Sequence, residues 1–277
     1  DVPEAGRLPD GLAGLARLNR HLTSIPMLAG TSHGLYGDYA ASLAAMSAAV
    51  RDASSRVNVE MYAMARDHAT EEFFDAMADA VRRGVKVRVL YDHIGSRKYP
   101  GFKAMNAWMD AHGIEWHQMM PIKPLHGRWR RPDLRNHRKL LVVDGEVAFM
   151  GSQNMIDSSY LMPANLKIGR HWLDLNIKLT GPVVASIEAV FALDWLTETG
   201  ESLAEHVRQP GADPGGQPMQ LVPSGPGYRT MPNLRLFTAL IHRAQHRLSI
   251  TSPYFVPEDS LLEAVTTAAY RGVDVEL

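Results

Sequence analysis

A repeated order of helix, strand, helix and strand is the feature that most limits how this chain can fold. Residues 40–64 ("AASLAAMSAAVRDASSRVNVEMYAM") and 233–256 ("NLRLFTALIHRAQHRLSITSPYFV") each have the pattern of an apolar-striped helix followed by a strand. A second helix and strand follow each of them, at 71–90 and 260–277. In both copies an Arg-Gly-Val step ends the second helix and begins the strand. Strands joined through helices at this spacing predict a parallel core with helices on both faces of the sheet.

The repeat predicts one complete lobe and the opening of a second. We place the first lobe at 31–205 and the second at 219–277, which is incomplete because the sequence stops in its second predicted strand. Residues 206–218 are rich in Pro and Gly and are predicted to form the linker between the lobes. Residues 1–30 form an N-terminal segment ahead of the first lobe.

An Asp-Gly pair at 144–145 predicts a tight hairpin within the first lobe. Both residues tolerate positive φ, and apolar runs stand on either side of them. A two-residue turn there would set His137 opposite Ser152. Since side chains alternate along a strand, Lys139 would share their face, and Asn154 would join it if the strand continues. Both faces of the hairpin are otherwise apolar, which predicts a place in the middle of a sheet covered on both sides by helices.

These four polar side chains form a candidate catalytic cluster. A single His in a strand is more often a structural residue, but four polar groups on one face are harder to explain in that way. A neutral imidazole at His137 is a competent nucleophile near pH 7, and Lys139 supplies a compact positive charge for a phosphate oxygen. Ser152 and Asn154 can donate hydrogen bonds or orient the ring, whereas Asp144 is most simply a turn residue. The set fits attack on a phosphodiester without a metal.

The same residues carry a family resemblance. The pattern HxKx4Dx6GSxN, which spans residues 137–154, resembles the HKD signature of the phospholipase D superfamily at every defined position. Longer stretches, among them "VNVEMYAMARD" and "KLTGPVVASIEAVFALDW", resemble the bacterial cardiolipin synthases of that superfamily. The resemblance runs from about residue 9 to the end of the sequence. Many such proteins carry Gly-Gly where this chain has Gly151-Ser152, so the finer subfamily stays open.

The resemblance implies a phospholipase D-like α/β lobe, with a mixed and mostly parallel sheet, that is duplicated in the full-length protein. It also implies a phosphatidyltransferase. One phosphatidylglycerol would load His137 as a phosphohistidine and release glycerol, and a second would attack through its free hydroxyl to give cardiolipin. The resemblance also implies a second HKD motif beyond Leu277, and no other His-x-Lys occurs in the 277 residues. A membrane anchor is expected ahead of residues 1–30.

A basic segment just before the motif is a candidate headgroup-binding rim. It contains Arg128, Arg130, Arg131 and Arg135, which could attract anionic lipid headgroups toward His137. A solvated basic loop is the alternative, because most runs of like charge end that way. The sequence leaves both interpretations open.

Asp174 is a candidate for orienting the nucleophile. It falls in a predicted strand whose odd-numbered residues, from Leu173 to Leu179, are expected to be buried, so that Asp174 points the other way. By its position in the family it could hydrogen-bond His137 and fix its tautomer. A solvent-facing role is the alternative.

Composition limits the partners. The formal charge is −1, which gives no global basic field for nucleic acid. The chain has no cysteine, and no pair of its histidines has metal-ligand spacing on a helix, so neither a metal nor a cofactor is expected. The expected partners are phosphatidylglycerol and an anionic membrane surface, and the expected location is the bacterial cell membrane, on its cytoplasmic face. A phospholipase D-type hydrolase and a catalytically incomplete membrane-binding lobe are the alternative functions.

Overall fold

A computed structural model describes most of the chain, namely residues 8, 11–122, 135–211, 215–228 and 230–277. The described residues divide into two compact units. The first unit extends over Leu28–Met219. The second unit contains the residues that precede Leu28 and the segment Gln220–Leu277. Within the described ranges, no helix combines the length and the apolar composition needed to cross a membrane.

The described residues form nine α-helices and ten strands. The helices are α1 (Ala13–Thr23), α2 (Tyr39–Arg51), α3 (Glu71–Arg82), α4 (His93–Arg97), α5 (Phe102–Ala111), α6 (Pro163–Ile168), α7 (Val183–Thr199), α8 (Pro232–Arg243) and α9 (Asp259–Tyr270). The strands are β1 (Leu28–Tyr36), β2 (Arg56–Met61), β3 (Lys86–Asp92), β4 (Glu115–Met119), β5 (Leu140–Val143), β6 (Val147–Gly151), β7 (Asn176–Thr180), β8 (Gln217–Met219), β9 (Arg247–Ser249) and β10 (Asp274–Glu276).

The first unit is built on a mixed sheet with the strand order β4-β3-β2-β5-β6-β7-β1-β8. Its parallel part consists of β4, β3 and β2, which are linked through helices as the repeat predicts. The remaining neighbours, from β5 to β8, pair in antiparallel fashion. The prediction of a mixed α/β sheet flanked by helices is confirmed, and the hairpin of β5 and β6 lies in the interior of the sheet as predicted. The prediction that the sheet is mostly parallel is wrong, because five of its seven strand pairs are antiparallel and only the pairs joined through helices are parallel.

Strand β2 shows how the two faces of this sheet are covered. Its odd-numbered residues, such as Val57 and Val59, belong to an apolar core that also contains side chains of α2, α3 and α5. Its even-numbered residues face α7 on the other side, where Asn58 lies 3.4 Å from Glu188. Alternation along the strand therefore separates an apolar face from a face that carries charged groups.

The predicted register of the hairpin is wrong by one residue. Val143 pairs with Val147 rather than with Glu146, and Leu140 pairs with Met150. The turn has positive φ at Asp144 and Gly145, as the sequence indicates, but Glu146 is an extra residue between the turn and β6. The physical reason is that the turn is tied to β2, since the Asp144 N–H donates to the Arg56 carbonyl at 2.9 Å.

The second unit repeats part of the first on a smaller scale. Strands β9 and β10 are parallel and are joined by α9, in the same order as β2, α3 and β3. Arg247 pairs with the first residue of β10, just as Arg56 pairs with the first residue of β3. A small apolar core of Ile241, Ala264, Val265, Ala268 and Val273 holds this unit together.

The boundaries between the predicted segments differ in detail from the structural units. Helix α1 lies in residues 1–30, and it groups with the second unit rather than standing apart. Strand β8 occupies the end of the predicted linker 206–218 and pairs with β1. The sequence predicts a linker there because the segment is rich in Pro and Gly, and the strand that follows them has only three residues.

Candidate active site

His137 and Lys139 lie in an irregular segment directly before β5. The Lys139 side chain is almost buried, with 7% of its surface exposed, whereas His137 is exposed. Lys139 Nζ lies 3.0 Å from His137 Nδ1 and also donates to the His137 carbonyl oxygen. An ammonium group can only donate, so it occupies the lone pair of Nδ1. The two residues that the sequence places together are thus in direct contact.

The surroundings shift the pKa of both groups. Partial burial lowers the pKa of His137 to about 4, and the positive charge of Lys139 adds to this effect. Burial also lowers the pKa of Lys139 to about 8, although the carboxylates of Asp174 and Asp92 act in the opposite direction. At neutral pH the imidazole is therefore uncharged and the ammonium is largely charged.

Tyr62, which directly follows β2, contacts both residues. Its ring centroid lies 4.2 Å from that of His137, and the Lys139 ammonium lies 5.2 Å from its centre. A side chain at Gly95 would collide with the Tyr62 carbonyl oxygen and ring, so this glycine allows Tyr62 its position. Our sequence reasoning missed Tyr62, since its contact with His137 arises only when β2 and β5 become neighbours.

Ser152 and Asp174 form a second pair of predicted site residues. Ser152 Oγ donates to Asp174 Oδ1 at 2.6 Å and accepts from the Leu175 N–H at 3.0 Å. The other carboxylate oxygen, Oδ2, is buried and has no hydrogen-bond partner among the described residues. Because the field of Asp174 also acts on Lys139, the carboxylate lies within the electrostatic surroundings of the site.

Two expectations for Asp174 need correction. Its hydrogen bond goes to Ser152, so it does not hold His137 in this structure. It also does not lie in a strand with buried neighbours, since β7 begins only at Asn176. Leu173 and Leu175 are 91% and 50% exposed, respectively. The apolar alternation that predicts buried leucines continues past the end of the strand, where no helix covers it.

Asn154 has both ends of its side-chain amide engaged within the protein. Its Oδ1 accepts from the Ala63 N–H at 2.9 Å, and its Nδ2 donates to the Tyr160 hydroxyl at 2.7 Å. The first contact fixes the backbone next to Tyr62. Asn154 is therefore buried and supports the site from behind, rather than lying beside Ser152 on an open face.

Asp144 lies at the opposite end of the hairpin from His137. Its carboxylate accepts hydrogen bonds of 2.8 to 2.9 Å from the backbone and side chains of Ser54 and Ser55 and from the Arg56 N–H. Burial opposes the charge, but these hydrogen bonds dominate and hold the pKa of Asp144 well below its ordinary value. These contacts support the interpretation of Asp144 as a structural turn residue.

The structure describes one of the four arginines of the predicted headgroup-binding rim, Arg135. Arg128, Arg130 and Arg131 lie outside the described residues. Arg135 is engaged by Asp92, with 2.8 Å between Arg135 Nη2 and the carboxylate, and it donates to the Met120 carbonyl at 3.0 Å. Because Asp92 is fully buried, this ion pair is structural. Contrary to the prediction, Arg135 is therefore not a free cation that could bind a headgroup.

Comparisons with known proteins agree with this arrangement. Residues 46–195 match the family described as cardiolipin synthase, PLD-like domain. Cardiolipin synthase A of Proteus mirabilis is 34% identical over 242 residues, which are 85% of this chain and 49% of that protein. Cardiolipin synthase A of Yersinia pseudotuberculosis is 35% identical over 241 residues, which are 84% of this chain and 49% of that protein. The chain thus spans about half the length of these curated relatives.

A solved structure is similar over almost the whole chain. Phosphatidylserine synthase from Haemophilus influenzae covers 94% of this chain with a TM-score of 0.65, while the match covers 64% of that protein. At 16% identity this likeness speaks for the fold alone. It agrees with the mixed sheet and flanking helices described above.

Proposed function

This chain belongs to the family of cardiolipin synthases with a PLD-like domain, and on that basis we propose that it supplies the nucleophilic half of a phosphatidyltransferase site. The proposed substrate is phosphatidylglycerol, and the proposed products are cardiolipin and glycerol. The observation that carries the proposal is the pair of His137 and Lys139. An imidazole kept neutral beside an ammonium, with 3.0 Å between Nδ1 and Nζ, suits attack on a phosphodiester.

The proposed first step is attack by His137 on phosphorus. A phosphate oxygen would compete with the imidazole for the Lys139 ammonium. When the ammonium binds the phosphate instead, the lone pair of the His137 ring becomes free to attack. The new N–P bond forms as the P–O bond to the glycerol headgroup breaks, and glycerol leaves with a proton. In the second step the free hydroxyl of another phosphatidylglycerol attacks phosphorus, the N–P bond breaks, and cardiolipin forms while His137 is restored.

Both steps need a group that delivers or accepts a proton. The carboxylate of Asp174 accepts a hydrogen bond from Ser152, and none of the other described residues near His137 matches the family motif for that role. We place this group on a second HKD motif, which is expected outside the 277 residues of this sequence. The finding that the chain spans about half the length of its curated relatives supports this expectation.

We further propose that residues 162–175 face an anionic membrane. Five large apolar side chains of this segment have 48 to 91% of their surface exposed, namely Met162, Leu166, Ile168, Leu173 and Leu175. Lys167 and Arg170 are exposed between them. Exposed apolar groups interleaved with cations are typical of segments that lie in the interface of anionic lipids.

The position of this segment supports the same proposal. Near its start, Tyr160 receives a hydrogen bond from Asn154, and near its end Asp174 receives one from Ser152. A segment attached at both ends to motif residues would set the nucleophile at the level of the lipid headgroups. The bacterial cell membrane, on its cytoplasmic face, is the proposed location.

The test of the proposed function is incubation of the protein, as its source organism makes it, with phosphatidylglycerol vesicles and analysis of the lipids by mass spectrometry. Cardiolipin and glycerol in equal amounts would support the transferase. Phosphatidic acid would support the hydrolase that uses water as the acceptor, and unchanged lipid would support a membrane-binding lobe. His137→Ala should abolish turnover, and Lys139→Ala should lower the rate by about 10²–10³-fold, because it removes a charge that stabilises the transition state.

A further inference from the structure

The side chains of residues 136–139, the segment that carries the nucleophile, point alternately to two sides of the chain. His137 and Lys139 contact each other and the ring of Tyr62. Asn136 and Arg138 alternate with them along the chain. Their side chains instead reach the carboxyl groups of Glu60 and Asp194, on the α7 side of the sheet. This alternation means that whatever holds the second pair also fixes the direction of the first.

Two carboxyl groups hold this second pair. Asn136 Nδ2 donates to Glu60 Oε1 at 2.8 Å and lies 3.1 Å from Asp194 Oδ2. Arg138 Nη1 lies 2.5 Å from the same Asp194 oxygen and 3.9 Å from Glu60. The Arg138 N–H also donates to Asn136 Oδ1 at 3.1 Å, which closes the network. The nucleophile therefore stands between two anchored neighbours.

Among the described residues of this network, two carboxyl groups face one guanidinium. Glu60 is fully buried in β2. Burial, and next the nearby charge of Asp194, raise the pKa of Glu60 well above its ordinary value, a direction that favours its protonated form. Glu60 Oε1 accepts from Asn136, Glu60 Oε2 has no hydrogen-bond partner among the described residues, and Asp194 pairs with Arg138.

We propose that Glu60 and Asp194 are positioning residues for the nucleophile, because they clamp the two residues that flank His137. This inference rests on the proposed function for its effect on rate, but its geometric part does not. Asp194 acts through its charge on Arg138. Glu60 acts through the hydrogen bond that its Oε1 accepts from Asn136, which the amide oxygen of a glutamine can also accept.

The test compares three single substitutions in the protein as its source organism makes it. Asp194→Asn removes the anion, whereas Glu60→Gln keeps one acceptor and one donor in place of the carboxylic acid. Glu188→Gln is the matched control, since Glu188 is also a buried acid of α7 and pairs with Arg56 at 2.7 Å. It lies at the end of the sheet that carries Asp144, away from His137.

Two readouts are measured for each variant, the pKa of His137 by NMR titration and the rate of phosphatidyl transfer. Asp194→Asn should raise the pKa of His137 from about 4 toward 6.5, because a loosened ring becomes hydrated. It should also lower kcat by about tenfold or more with little change in KM, since misplacement of a reacting group costs rate. Glu60→Gln and Glu188→Gln should leave the pKa of His137 unchanged and the rate within about threefold of the parent.

The outcomes separate this inference from the proposed function. An unchanged His137 pKa in Asp194→Asn, or an equal shift in Glu188→Gln, would overturn the positioning role. A large loss of rate in Glu60→Gln would overturn the role of Glu60 as an acceptor for Asn136. If the parent protein transfers no phosphatidyl group but the His137 pKa shifts as expected, the proposed function is wrong and the positioning of His137 stands.

Discussion

The ring of Tyr62 lies against the imidazole of His137, with 4.2 Å between the centroids and 49° between the planes. This contact joins the end of β2 to the segment before β5, two parts of the chain that are 75 residues apart in sequence. It removes water from one side of the imidazole and so adds to the burial that lowers the pKa of His137.

Removing the Tyr62 ring should therefore raise the pKa of His137. We expect Tyr62→Ala to move that pKa upward from about 4, whereas Tyr62→Phe, which keeps the ring, should leave it unchanged. NMR titration of the imidazole measures both. An equal pKa in the parent and in Tyr62→Ala would show that another group desolvates His137.

The pH dependence of kcat/KM should show two limits. His137 loses its lone pair when it binds a proton, so the rate should fall as the pH drops through about 4. Lys139 loses its charge when it releases a proton, so the rate should fall as the pH rises through about 8. Initial rates of cardiolipin formation across this range test the assignment. A rate that declines already below pH 6.5 would mean that His137 has an ordinary pKa.

Asp144→Ala should destabilise the first unit without direct effect on the chemistry. The substitution leaves backbone N–H groups of Ser54, Ser55 and Arg56 without their acceptor, and we expect a loss of about 2–4 kcal/mol in the free energy of unfolding. Because the pKa of Asp144 is lowered on folding, the stabilisation is present above its ordinary pKa of 3.8 and is lost as the pH falls through the lower folded value.

The matched control for this substitution is Glu146→Ala in the same turn. Glu146 forms an ion pair with Arg208 on the surface, where both side chains are 61% exposed. Such a pair contributes little, so the free energy of unfolding should change by less than about 1 kcal/mol. Urea unfolding at pH 7 and pH 3 compares the two variants. Equal losses in both would contradict the structural role of Asp144.

The segment 162–175, which we propose to face a membrane, should carry part of the vesicle binding. We expect Leu166→Asp together with Ile168→Asp to weaken binding to phosphatidylglycerol vesicles by about tenfold or more, because both side chains are exposed and would enter the interface. Trp172 provides a natural fluorescence reporter for this contact. Brominated lipids should quench it in the parent and not in the double variant.

The control for this prediction is Leu262→Asp in α9, where a leucine is 44% exposed in the second unit. It should leave vesicle binding unchanged. The double variant could instead bind vesicles normally and show a changed oligomeric state or a lost contact with the rest of the protein. That outcome would mean that the apolar segment covers a protein surface instead of a membrane.

The sequence predicts the local parts of this site better than the contacts between distant segments. The positions of His137 and Lys139 before an apolar strand follow from their neighbours in the chain. The register of the hairpin does not, since it depends on contacts between Asp144 and Arg56, which are far apart in sequence. The acidic residue Glu60 in the predicted strand "VNVEM" is a signal that could have indicated the carboxyl network.

The place of β5 in the sheet has a consequence for how the protein moves. All four of its residues are buried, and it is hydrogen-bonded on both sides, to β2 and to β6. Strands of this kind open only when a whole domain unfolds, so their amide protons exchange slowest with solvent. The proposed nucleophile thus lies next to the most persistent part of the fold, so we expect the pair of His137 and Lys139 to keep its geometry through repeated turnovers.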